Sequence, residues 1–124
     1  MRRVAIAVAA LLYVMPAWAQ HSHGAKGPNG GKVEDVAGVH AELVTSGTTI
    51  MINVLDEDNK PISVKGFSGS VLIASGGDRE TVTLAPSGDS SLKGEAKEAV
   101  AGNAAVTLML KTDKGKTGQA RYTK

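Results

Sequence analysis

The chain opens with one uninterrupted apolar run and continues as short alternating segments. Residues 4–14 form the run; Arg2 and Arg3 precede it, and the small-residue triplet Ala-Trp-Ala follows at 17–19. This order of basic start, short apolar stretch and small residues is typical of a secretory signal peptide. The run is too short to span a bilayer, which requires about 20 apolar residues. We therefore expect residues 1–19 to be removed during export to the periplasm by the general secretion route.

From residue 32 onward, apolar residues occupy alternate positions in short segments, and turn-forming residues separate these segments about every ten positions. Such spacing is typical of antiparallel strands joined by tight turns. The pattern predicts a brief extended piece at 62–64 and a single helical turn at 95–101. It predicts strands at 32–36, 39–45, 48–55, 69–74, 80–84, 91–94, 104–111 and 119–123.

Seven to eight short antiparallel strands predict an all-β fold, and we expect a two-sheet sandwich of immunoglobulin-like type over residues 32–124. A small closed barrel is the alternative. The chain contains no cysteine, so it lacks the Cys–Trp–Cys core of antibody domains. Residues 20–31 contain four glycines, a proline and no apolar period, and are therefore expected to be a flexible arm.

The charge balance changes once the predicted signal peptide is removed. The complete chain of 124 residues has a formal charge of +2. Loss of Arg2 and Arg3 lowers Lys plus Arg from 14 to 12, which equals the 12 acidic residues. Lysines are interspersed with acids, and aromatics are only 3% of the chain, so neither a basic patch nor a stacking surface for nucleic acid is present. No further long apolar run follows, so we expect no membrane span after cleavage.

The motifs of common catalytic and calcium sites are incomplete. Residues 90–93 match the bare S-x-x-K pattern of serine acyl enzymes, but they lie on a turn and the partner motifs are missing. The acidic segment 56–60 resembles the start of a calcium loop, yet Lys60 and Pro61 occupy the positions that require an oxygen ligand and glycine. We read this segment as a solvated turn. The protein is predicted not to be an enzyme, and a small hydrolase is the least supported alternative.

The three histidines are the candidate metal ligands. His21 and His23 form a His-x-His pair in the arm, and His40 shares a strand face with Glu42. Imidazole binds Cu(II), Zn(II) and Ni(II) well, and a flexible chain can bring two rings to one ion. A joint site with His40 requires the arm to fold back along the first strands. The simpler alternatives are a solvated tail and a half-exposed strand histidine paired with a neighbouring carboxylate. No organic cofactor is expected.

Several short motifs carry a family resemblance. They are PNGGKVE at 28–34, VHAELV at 39–44, D-x-D-x-K-P-I at 56–62, G-x-V at 69–71 and QARY at 119–122. Together they resemble small exported bacterial β-sandwich proteins of unassigned function, and a module near the N-terminus of periplasmic adaptor subunits of heavy-metal efflux pumps. The resemblance implies a periplasmic β-sandwich associated with metal efflux or metal stress. Because His40 lies in one of the shared motifs, the resemblance also strengthens His40 as a candidate functional residue. It brings no catalytic motif.

The function predicted from these observations is that of a periplasmic accessory protein of metal homeostasis or heavy-metal efflux. It would bind a divalent transition metal weakly through His21, His23 and His40. Its expected partners are components of a metal-efflux pump or another envelope protein. The alternative is a metal-independent envelope module of immunoglobulin-like fold that binds a protein partner.

Overall fold

A computed structural model describes residues 25–123, and every regular element in this range is a β-strand. None of these residues forms a helix long and apolar enough to cross a membrane. The strands are β1 (Ala25–Lys26), β2 (Lys32–Val36), β3 (Val39–Ser46), β4 (Thr49–Leu55), β5 (Ser68–Ser75), β6 (Asp78–Ser87), β7 (Ser91–Glu95), β8 (Ala105–Lys111) and β9 (Thr117–Tyr122).

The nine strands form one antiparallel curled sheet in the order β1-β2-β3-β4-β7-β6-β5-β8-β9. The long strand β6 joins the two halves of this order, because its first part pairs with β5 and its last three residues pair with β7. The curl also brings β2 into contact with β9, although these strands lie far apart in the order of the sheet. The prediction of an all-β antiparallel fold is therefore confirmed.

The hydrophobic core lies on the concave face of the curled sheet. In β4, Ile50, Ile52 and Val54 are completely buried and point to this face, as the alternating pattern predicts. Leu108 of β8 and Val71 of β5, whose Cα atoms are paired, meet them from the far side of the curl. Because strand side chains alternate between faces, the same pattern sends His40 and Glu42 of β3 to the opposite, convex face.

The predicted helical turn at 95–101 is wrong. Residue 95 ends β7, and the following segment is an irregular loop. Its backbone donors bond to the turn between β3 and β4: the Ala96 N–H donates to Thr48 O at 2.8 Å, and the Val100 N–H donates to Gly47 O at 3.0 Å. Tertiary partners thus replace the hydrogen bonds that a helix would make within itself. The extended piece expected at 62–64 forms no strand, and only the preceding Pro61 makes an isolated bridge, with Leu55.

Gly94 of β7 is required by a close approach between strands. A Cβ atom there would lie 2.7 Å from Val82 Cγ1 and 2.8 Å from Thr83 O. We expect Gly94→Ala to lower the free energy of unfolding by about 1–3 kcal/mol, because the Thr83 backbone cannot move freely inside the sheet. Urea unfolding followed by circular dichroism measures this. Gly77→Ala is the control, since a Cβ at Gly77 meets nothing within 4 Å. Equal urea midpoints for Gly94→Ala and Gly77→Ala would contradict the close approach of Val82 and Thr83 to Gly94.

Candidate functional site

His40 lies on the convex face between two oxygen acceptors. The hairpin register pairs Asp35 of β2 with His40 of β3, so both side chains point the same way. His40 Nε2 is 2.9 Å from Asp35 Oδ1, and His40 Nδ1 is 3.1 Å from Asn59 Oδ1. The His40 side chain is 22% exposed and that of Asp35 is 61% exposed. The histidine is therefore half-buried and paired with a carboxylate, as the simpler alternative predicts.

The loop that carries Asn59 is held in shape by Asp56. Asp56 Oδ1 accepts the backbone N–H of Asp58 at 2.8 Å and that of Lys60 at 3.0 Å. The Lys60 hydrogen bond is the main cause that lowers the pKa of Asp56 below its ordinary value of 3.8. Asn59 takes a positive φ of 61°, which an asparagine tolerates in such turns. Asp56 thus supports the loop that presents Asn59 to the histidine.

Glu42 is a completely buried carboxylate on the same face. Its Oε2 accepts the backbone N–H groups of Asn29 and Gly31, both at 2.8 Å, and its Oε1 accepts Asn29 Nδ2 at 2.9 Å. Three short hydrogen bonds to an ionised acceptor compensate for the loss of hydration. We call this arrangement of Glu42, Asn29 and Gly31 the Glu42 latch.

The Glu42 latch continues into the sheet through two polar side chains. Asn53 Nδ2 donates to Glu42 Oε1 at 3.4 Å, a long contact, and Ser91 Oγ donates to Asn53 Oδ1 at 2.6 Å. The register places Glu42 opposite Asn53 and Asn53 opposite Ser91. Neighbouring strands therefore hold the carboxylate in one position.

The latch fastens residues 25–31 to the domain. Within this segment, β1 pairs with β2, and the Gly27 N–H donates to Gly31 O at 2.7 Å. Gly27 sits so close that a Cβ there would lie 2.7 Å from both Val33 Cγ2 and Glu42 Cδ. This part of the predicted arm is therefore bound to the sheet. The reason is the buried carboxylate, whose need for donors the glycine-rich composition does not reveal.

Only one of the three predicted metal ligands lies among the described residues. His40 lies within it, whereas His21 and His23 lie outside the described residues. Within residues 25–123, no group of three or more His, Cys, Asp or Glu side chains is arranged to hold a metal ion. The Asp35–His40 pair supplies two donors.

Asp35 and Glu42 are the two residues of this region whose roles the sequence analysis did not identify. A signal for Asp35 exists, since a two-residue turn at Ala37-Gly38 pairs position 35 with position 40. For Glu42 the only sequence signal is a carboxylate in the middle of a strand, and many exposed strands share that feature. Met51 is half-buried on β4, and Met109 is 37% exposed on β8.

Comparison with known proteins finds no counterpart for this chain. No family model matches it, and neither a curated protein nor a solved structure shows significant similarity. The resemblance to efflux adaptor modules therefore remains a prediction that rests on short motifs.

Proposed function

We propose that the protein is a periplasmic accessory protein of metal homeostasis or heavy-metal efflux that binds a divalent transition metal at the Asp35–His40 pair. His23, with His21 beside it, supplies the remaining protein ligands from the N-terminal arm. The observation that carries the proposal is the 2.9 Å contact between His40 Nε2 and Asp35 Oδ1, next to the strand from which the arm emerges. The partner is proposed to be a metal-efflux pump component.

The place of the arm along the chain supports its contribution. The first described residues, Ala25 and Lys26, pair with Val33 and Lys32 of β2. The same strand β2 carries Asp35, whose partner on β3 is His40. His23 precedes Ala25 by only two positions in the sequence, so the arm joins the domain beside the strand that carries Asp35.

The chemistry of the donor set favours Zn(II), Cu(II) or Ni(II). Imidazole nitrogens and one carboxylate suit these ions, whereas Cu(I) prefers sulfur. Adjacent ligands of a tetrahedral ion with bonds of about 2.1 Å are separated by about 3.4 Å, so the Nε2 to Oδ1 distance needs only a small widening. Asn59 Oδ1 would accept a hydrogen bond from the His40 Nδ1–H, which leaves Nε2 of His40 to coordinate the metal.

Titration calorimetry of the chain without residues 1–19 tests the site with Zn(II), Cu(II) and Ni(II). We expect His23→Ala and His40→Ala each to weaken binding at least about tenfold, because each removes a ligand. Asp35→Asn is expected to weaken binding by a smaller factor, since the amide oxygen remains but its charge is lost.

The matched control is Asp78→Asn, which removes an exposed carboxylate from the β5–β6 turn, far from β2 in the sheet. Binding that is unchanged by His23→Ala and His40→Ala would refute the proposed site. Absence of any binding at micromolar metal would favour the metal-independent interaction module instead.

We further propose that the two halves of the curled sheet face each other as the layers of an immunoglobulin-like sandwich. One half holds β1, β2, β3, β4 and β7, and the other holds β5, β6, β8 and β9. Support comes from Tyr122 of β9, whose hydroxyl donates to Ala41 O of β3 at 2.7 Å from within the core. Such a contact joins strands that are distant in the sheet order, as the facing layers of a sandwich require.

A further inference from the structure

We propose that Asn29 is a deamidation site guarded by the Glu42 latch, and that its conversion to aspartate permanently releases residues 25–31 from the sheet. Asn29 is followed by Gly30, which has no side chain to hinder attack on the Asn29 amide. Asparagine is among the chemically labile residues of proteins.

The reaction requires only water. The Gly30 backbone nitrogen loses its proton to hydroxide and attacks Cγ of Asn29. The Cγ–Nδ2 bond of Asn29 breaks, and Nδ2 leaves as ammonia after taking a proton from water. The cyclic imide that forms then adds water at either carbonyl, which yields aspartate or isoaspartate. No oxidant or reductant takes part.

Both reacting groups are occupied while the latch is closed. The nucleophile is the Gly30 backbone nitrogen, and its N–H donates a hydrogen bond to Gly27 O at 3.0 Å. The leaving group, Asn29 Nδ2, donates to Glu42 Oε1 at 2.9 Å, and the Asn29 backbone N–H donates to Glu42 Oε2. Attack requires that the side chain rotate away from Glu42, so the reaction proceeds from the open latch.

An open latch leaves nothing to obstruct the reaction. Asn29 and Gly30 are exposed, and a Cβ at Gly30 would have no atom within 4 Å. Gly30 has a φ of +84° when the latch is closed, and glycine leaves this conformation at little cost. The rate of deamidation therefore reports how often the Asn29 side chain leaves Glu42.

The product cannot restore the closed state. Aspartate at position 29 replaces an N–H donor with a charged acceptor, and this acceptor would face the buried Glu42 carboxylate at hydrogen-bond distance. Two carboxylates at such a distance repel unless one takes up a proton. Deamidation is thus an irreversible step that follows opening and prevents closing.

Mass spectrometry of proteolytic fragments at neutral pH and 37 °C follows the reaction for the wild type, Glu42→Gln and the urea-unfolded protein. We expect the unfolded protein to react fastest, and Glu42→Gln to react at least about tenfold faster than the wild type, because the charged acceptor of three hydrogen bonds is lost. Glu98→Gln, at an exposed position, is expected to match the wild type.

A second measurement keeps the test decisive if Glu42→Gln does not fold. Asn29→Asp imitates the product, and hydrogen exchange of the Gly31 amide reports the latch directly, since that N–H bonds to Glu42 Oε2. We expect Gly31 exchange to accelerate at least about tenfold in Asn29→Asp while the amides of β4 and β8 remain protected. Equal rates of deamidation in the folded and unfolded wild type, or unchanged Gly31 protection in Asn29→Asp, would overturn the proposal.

Discussion

Replacement of Glu42 by alanine is expected to lower the free energy of unfolding by about 3 kcal/mol. The change removes a completely buried side chain that accepts three hydrogen bonds at 2.8–2.9 Å. Hydrogen bonds to charged groups contribute about 1.5–3 kcal/mol each, but these three share one acceptor and are not additive. Since Asn29 is exposed, its donors regain water when the loop detaches, which keeps the loss below the sum.

Urea unfolding followed by circular dichroism measures this loss. Glu42→Gln should fall between the wild type and Glu42→Ala, because the amide keeps the shape and one acceptor but turns an NH₂ group toward the Asn29 and Gly31 donors. Glu98→Ala, an exposed change, should leave the midpoint within about 0.5 kcal/mol of the wild type. A similarly small effect for Glu42→Ala would mean that the latch does not stabilise the domain.

Tyr122 is expected to show the second large effect. Its side chain is 1% exposed, and its hydroxyl donates to Ala41 O at 2.7 Å. Tyr122→Phe should cost about 1–2 kcal/mol, since it removes the donor of a buried hydrogen bond. Tyr122→Ala should cost about 3–5 kcal/mol, because it also leaves a large cavity between β9 and β3. The difference between the variants separates the hydrogen bond from the packing.

Alkaline pH is expected to destabilise the protein through the same residue. Burial is the main cause that raises the pKa of Tyr122 above its ordinary value of 10.0, and the charges of Glu34 and Glu42 add to it. Above pH 10 the unfolded chain loses the phenol proton while the folded protein keeps it, so stability should fall by about 1.4 kcal/mol per pH unit from this group. Below pH 10 the phenol is neutral in both states and contributes no slope.

Tyrosinate absorbance tests this directly, because the other tyrosine, Tyr13, lies in the predicted signal peptide. In the chain without residues 1–19, Tyr122 is the only tyrosine, and its ionisation should coincide with the loss of circular dichroism. Ionisation near pH 10 in a protein that remains folded would contradict the buried phenol. In Tyr122→Phe, the free energy of unfolding should fall less steeply with pH above 10, because the contribution of one titrating proton is removed.

Local pattern predicted most of the strands correctly. The strands predicted at 32–36, 39–45 and 48–55 correspond to β2, β3 and β4, and the two residues left between the first two strands form their turn. A strand period of two and a two-residue turn are local properties, so neighbouring residues suffice to detect them. The half-exposed histidine paired with a carboxylate was predicted on the same basis, although its partner Asp35 was not named.

Other features depended on contacts between distant parts of the chain. Glu42 and Asn29 are 13 positions apart, and nothing in a strand pattern indicates that a mid-strand carboxylate is buried beneath a glycine-rich loop. The residues after β7 resemble a short helical turn in composition, yet the β3–β4 turn supplies acceptors for their backbone donors. Composition alone cannot reveal such partners.

The sequence by itself determined the all-β class, the approximate strand positions and the separation of faces in β3 and β4, because these follow from residue alternation and turn chemistry. Only the tertiary structure decided that residues 25–31 bind to the sheet and that His40 lies between Asp35 and Asn59. The physical reason is that a buried carboxylate or a half-buried imidazole must find polar partners, and the folded chain draws these from wherever strand register and loop closure bring them.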